Sequence, residues 1–327
     1  MKQLILLLIT LFLSSFYTEA KIWRVNNRPG IQADFTEVDP AIAAASDGDT
    51  VMIAKSLTSY SGFTLDKRLV IMGEGGDLDL YFPSTYNAAL RGTNIGGVIL
   101  INAGAESSIL YSFTHAGGGQ NPFQINADNI RLIRCIFNTG VLLQRDNTVF
   151  EQCYISGNGF GLINSNVQNL VVKNCIINGT TSVLADVTSV WSNNIFGGSV
   201  GIEFINQTLI NNINDNPFLV VNNCVLSNNI DAQLGSTLFG TDNGNFGNVD
   251  SSDVFVDAND LTQFQLKAGS PAVGAGLNGE DCGAFGGPTP FVIGLLPPVP
   301  WVYEVINPGT GSNTQPLNVT VSVQSNN

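Results

Sequence analysis

Between Ile130 and Leu226 the apolar and polar positions repeat one short phrase. Around Cys135, Cys153, Cys175, Asn194 and Cys224 the chain reads apolar, any, apolar, any, any, anchor, any, apolar. Three positions before the anchor stand Leu132, Phe150, Val172, Trp191 and Val221; two after it stand Phe137, Ile155, Ile177, Phe196 and Leu226. Only Thr148 and Ser189 break the apolar row five positions before it. Each flank alternates with the period of a strand, and the extra residue before the anchor lets the chain turn a corner. The anchors lie 18, 22, 19 and 30 residues apart. A unit of about twenty residues cannot bury its own inner face and must stack on its neighbours.

The pattern therefore predicts an all-β fold, a solenoid of parallel strands in which like residues of successive coils form ladders about 4.8 Å apart. Cys135, Cys153, Cys175 and Cys224 are expected on one internal ladder, with Asn194 on the fourth rung, as small side chains filling a corner. Asn174, Asn193 and Asn223 read as turn residues beside that corner. The 30-residue step from Asn194 to Cys224 predicts a longer coil or a loop over residues 195–218, a natural place for a site. With five cysteines and no CxxC, neither a disulfide framework nor a thiolate metal site is expected.

Both ends of an open solenoid need covering. Near the start, "FTEVDPAIAAASDGDTVMIA" predicts a short capping helix with Asp39 as N-cap and Pro40 at its first position, ending at the "SDGD" turn before a strand at 51–54. Ahead of it, "MKQLILLLITLFLSSFYTEA" has a Lys2 n-region, a short apolar run and a small-residue Ala20 boundary, which predicts a signal peptide over residues 1–20 and a secreted or cell-surface location. No later run is long enough to span a membrane. Past Gly287, five prolines from Pro288 to Pro300 predict an extended connector, and 317–323 alternates like a strand; the segment 288–327 is expected to pack on the shaft or form a tail.

The charge balance is acidic, formally −13, with no basic block, which argues against nucleic acid and anionic membranes as partners. Few charged residues and many glycines suit a turn-rich β protein.

The opening "VNNRPGIQADFTEVDPAIAAASDGDTVMIA", the phrase "SGFTLDKRLVIMGEG" and the closing "QFQLKAGSPAVGAGLNGEDCGAFGG" resemble the first coils and final turn of secreted bacterial right-handed parallel β-helix proteins of the pectate-lyase-like superfamily. The resemblance spans most of Val25 to Gly287 and implies a right-handed β-helix over residues 21–287, acting as a monomer on polysaccharide or a cell-surface glycan. It also implies the chemistry to seek. A polysaccharide lyase on an acidic glycan needs a basic Lys or Arg and often calcium held by acidic side chains; a hydrolase needs two carboxyl groups.

Few residues assemble that chemistry in the repeat frame. Glu151 and Lys173 are expected as neighbours on adjacent rungs, reading either as a surface ion pair or as part of a site. Arg131, Arg134 and Arg145 form the one local basic concentration, either solvated turn residues or a clamp for a substrate carboxylate. Asp242, Asp250 and Asp253, with Asp257 and Asp260, form an oxygen-rich run that suits calcium or ordinary turns. The single histidine, His115, reads as a surface or loop residue without a triad. The expectation is a carbohydrate-associated binding or structural β-helix with no evident catalytic constellation; the alternative is the lyase or hydrolase.

Overall fold

The computed structural model describes residues 19–76, 92–118, 122–157, 160, 162–163, 166–183, 186–258, 261–306 and 319–324. The expected leader thus lies almost wholly outside them, as do Asp260 and residues 317–318. The chain is a parallel β-helix. One side is a ten-stranded sheet, the next an eight-stranded sheet, and the third is divided between a five-stranded and a three-stranded sheet. Each coil visits the three sides in that order before climbing a rung. On the ten-stranded face Leu132 pairs with Phe150, then Val172, Trp191, Leu209 and Leu226. These side chains point inward, and all but Leu226 are fully buried.

The corner after this face explains the extra residue in the repeat. Ser112, Arg134, Gln152, Asn174, Asn193, Asn211 and Asn228 occupy equivalent positions with φ between 51° and 57°, the left-handed region, which short polar side chains tolerate best. That single left-handed residue swings the next side chain inward. On the inside the ladder runs Cys135, Cys153, Cys175, Asn194, Asn212, Asn229 and Asn245. Each thiol donates to a carbonyl of the preceding coil, Cys153 Sγ to Leu132 O at 3.4 Å and Cys175 Sγ to Phe150 O at 3.6 Å. Each asparagine makes the same link with a stronger donor, Asn194 Nδ2 to Val172 O at 2.9 Å and Asn212 Nδ2 to Trp191 O at 2.8 Å. Their Oδ1 atoms accept the backbone N–H of the ladder residue one coil earlier, from Cys175 to Asn194 and from Asn194 to Asn212, each at 2.9 Å.

Cys224 is not on this ladder, which corrects the sequence register. It follows the strand Leu219–Asn222 on the third side and sits at the other corner, where its sulfur accepts from Gln207 N at 3.4 Å. The step of 30 residues is accordingly no loop. Residues 195–218 contain ordinary strands, Ile202–Ile205, Thr208–Ile210 and Ile213–Asn214, on three different sides.

His115 is also corrected. It is fully buried on an inward rung, pairing Ile95 below and Phe137 above, with Nε2 3.0 Å from Gly97 O and Nδ1 2.9 Å from Thr139 Oγ1. Burial lowers its pKa, so it serves as a neutral core group.

The capping helix forms at Val38–Ala44, and Val38, Ala41 and Ile42 bury themselves in the core. Its N-cap is Glu37, whose side chain makes no capping bond; Asp39 lies inside the helix and accepts the Thr64 N–H at 2.9 Å, tying the cap to the next coil. Pro40 falls in the first turn, where a missing N–H removes no intrahelical bond.

After the last coil the chain turns back along the shaft. Outward side chains of the left-handed corner hold it at successive coils. Asn228 Nδ2 donates to Ala275 O at 3.1 Å, Asn174 Nδ2 to Gly286 O at 2.7 Å, Gln152 Nε2 to Thr289 O at 3.2 Å and Arg134 Nη1 to Leu296 O at 2.9 Å. This strap covers the outer rungs of the eight-stranded face, Ile176, Ile195, Ile213 and Ile230, with Ala272, Cys282, Ala284, Phe291 and Leu295, forming a second core. Beyond it the strands Trp301–Ile306 and Thr320–Gln324 pair with each other, antiparallel.

Candidate functional site

The ten-stranded face brings three of the expected site residues together. Glu151 lies beneath two cations, its Oε2 3.3 Å from Arg131 Nη2 and its Oε1 3.1 Å from Lys173 Nζ. Its side chain is only 9% exposed, so the cluster is a closed ion network in an outward face that is otherwise largely apolar. Both cations share one carboxylate, so each has an ion-pair partner within the face itself. Arg134 is not part of it. It is buried at the corner, with Nε on Gln152 Oε1 at 2.8 Å and Nη1 on the strap, a structural role. Arg145 stands exposed at the turn after the strand Val141–Leu143.

The acidic run does not converge. Asp250 caps the short helix Ser251–Val254 by accepting the Ser252 N–H at 2.9 Å, and that bond holds its carboxyl below the usual range. Asp253 pairs with Lys267 at 3.4 Å, and Asp242 is exposed in a turn closed by the Asn245 N–H. Among the described residues no group of three or more His, Cys, Asp and Glu side chains is placed to hold a metal ion.

A cavity of about 580 Å³ opens where this segment meets the last coils, and it joins residues far apart in sequence. Asp215 enters from the shaft, one residue past the strand Ile213–Asn214; Asp250, Ser251, Phe255 and Asp257 come from the short helix and its exit, and Gln263 and Phe264 from the next turn. Phe255 and Phe264 are buried and meet edge to face, with centroids 6.3 Å apart. Among the described residues no Lys or Arg lines the cavity. Burial raises the Asp215 pKa, although Ser251 and a 3.1 Å bond from Gln233 Nε2 oppose the shift. One wall thus holds a carboxyl that keeps its proton more readily than usual, and another a carboxylate that gives it up more readily. The oxygen-rich run supplies Asp250 and Asp257; Asp215, Phe255 and Phe264 carry no signal of their own in the sequence, because nothing in the repeat separates Asp215 from a turn residue.

The chain matches no family model, no curated protein and no solved structure.

Proposed function

We propose that this β-helix is an exported glycan-binding protein, of the superfamily its terminal motifs resemble, with its ligand seat in the cavity between the last coils and the returning chain. The observation that carries the reading is the cavity lining: carboxylates, hydroxyls and an amide that pair with sugar hydroxyls, beside two largely buried phenylalanine side chains that supply apolar wall. Three carboxylates without a lining cation disfavour a uronate and favour a neutral or amino sugar. Elimination from an acidic glycan fits less well, since Arg131 and Lys173 are held by Glu151 and Arg134 by the strap.

Hydrolysis is the second reading, favoured by the opposite pKa directions of Asp215 and Asp250 in one cavity, the pairing that an acid and a base require. The test is calorimetric titration of the full chain with neutral, amino and uronate oligosaccharides, alongside a reducing-end assay. Binding of a neutral or amino sugar, weakened at least about tenfold in Asp215→Asn with unfolding temperature retained, supports the assignment. Binding confined to uronates, or equal binding by Asp215→Asn, overturns it.

A further inference from the structure

The first coil takes hold of the chain at one residue. Glu19 and Ala20 are exposed and belong to no strand, whereas Lys21 is held through three of its groups. Its N–H donates to Asp49 Oδ1 at 2.7 Å, its carbonyl accepts from Thr50 N at 2.8 Å, and its Nζ stands 3.2 Å from the centroid of the Trp23 ring. The strand Ile22–Val25 begins immediately after it and pairs in register with Thr50–Ile53.

Asp49 is suited to more than that amide. It is buried, 6% exposed, and its other oxygen accepts from Ser46 N at 2.9 Å and Trp23 Nε1 at 3.0 Å. All three donors are neutral. Among the described residues the ion pairs join Glu151 to Arg131 and Lys173, and Asp253 to Lys267; none reaches Asp49. The Lys21 side-chain ammonium is turned onto the indole instead. A buried carboxylate without a cation bears a desolvation cost that hydrogen bonds offset only in part.

The leader predicted from the sequence ends at the same point. Thr18 and Ala20 place small residues three and one positions before the Ala20–Lys21 bond, the pattern that an export signal peptidase cuts. Hydrolysis there adds water across the peptide bond. Ala20 leaves with the carboxylate, and Lys21 keeps the nitrogen as an amine, which takes up a proton at neutral pH. The atom that was a neutral amide donor 2.7 Å from Asp49 thereby becomes a cation in the same place.

We infer that Ala20–Lys21 is a processing site and that Asp49 is the seat of the new N-terminus, an ion pair that only the cleaved chain possesses. Cleavage presupposes the export proposed above; the seat rests on the surroundings of Asp49. Removal of the leader finishes the lower cap, because the carboxylate that already joins the helix turn through Ser46 and the first strand through Trp23 gains its cation. The processed chain is accordingly the more stable form.

The test has two parts. The whole chain is expressed in cells with an export pathway, and N-terminal sequencing with intact mass should find a product that starts at Lys21. Three purified forms are then melted: one starting at Lys21, one retaining Glu19 and Ala20, and one starting at Lys21 with its α-amine acetylated. The first should unfold at least about 2 °C above both others, and the gap should close in Asp49→Asn. If Asp49→Asn does not fold, the acetylated form decides alone, since it keeps Asp49 and removes only the charge. A product that keeps residues 1–20 overturns the inference together with the export reading, and a start at another residue overturns the inference alone. Cleavage at Lys21 with equal unfolding temperatures, or a gap that persists in Asp49→Asn, overturns the seat and leaves export and glycan binding standing.

Discussion

The two ends of the shaft solve one problem in unlike ways. At the lower end a helix lies across the core, and Asp49 gathers the first coils by accepting from Lys21 N at 2.7 Å, Ser46 N at 2.9 Å and the Trp23 indole at 3.0 Å. At the upper end a loop reaches over the core with Phe239, pinned by the buried Asp231 carboxylate, which accepts from Leu238 N at 2.8 Å, and the same loop bonds the last strand through Asn245 Nδ2 to Leu226 O at 3.1 Å. The inner corner changes between the same ends, from thiols below to amides above. At the thiol rungs a weak S–H donor makes the link to the coil below. At the asparagine rungs directional amide bonds to both neighbouring coils do so. The lesson is that one corner geometry accepts two chemistries, a thiol or an amide, in equally buried surroundings.

The sharpest way to break this comparison is Asn212→Ala, which leaves Trp191 O and the Asn194 N–H without their partner. It should cost about 3–5 kcal/mol in chemical denaturation. A cost below about 1 kcal/mol would mean that the amides only fill space. Next, Ile42→Ala under the helix should cost about 3 kcal/mol, against about 1 kcal/mol for Leu226→Ala at the half-open rim. Equal costs in thermal unfolding would show that the rim is as well buried as the helix-covered end.

Acid should move the ends in opposite directions. Burial raises Asp49, but the bonds from Ser46, Lys21 and Trp23 outweigh it and hold its carboxyl below the ordinary 3.8. Its contribution is complete above that value and is lost as pH falls through the lower folded one. Asp215, raised above 3.8 by burial, opposes folding once ionised; its end is most stable below 3.8 and weakens as pH rises towards the folded value. Hydrogen exchange, corrected for intrinsic rates, should show the Asp49 coils losing protection on acidification and the Asp215 coil gaining it. Smallest of all, Cys153→Ser keeps a donor towards Leu132 O and should change stability by no more than about 1 kcal/mol, measured by thermal melting.

The β-helix was legible because inward residues recur at strand spacing. Leu132, Phe150, Val172 and Trp191 fall into register as read, with Cys135, Cys153, Cys175 and Asn194 at the corner. Cys224 falls out of register because both corners beside the ten-stranded face carry a left-handed polar residue just before an inward one. Asn223 at φ 53° and Asn228 at φ 53° therefore look alike in sequence. Following the cysteine hid Asn212 and Asn229, which keep the ladder with a different side chain. Glu151 and Lys173 emerged as neighbours because the repeat placed them there. The cavity did not, since Asp215 and Phe264 meet only when the chain folds back, and no period along the sequence encodes that return.

The strap has a consequence for how the molecule comes apart. A stack whose coils touch only their neighbours is a one-dimensional array that frays from its ends, rung by rung. Here Arg134 is tied to Leu296 and Gln152 to Thr289, contacts spanning 162 and 137 residues. No coil along that line can peel away without first shedding a segment that grips several others. The returning segment thus converts a fraying stack into a cooperative unit. The shaft reaches full resistance to local opening, and to proteases that exploit it, only once the return is complete.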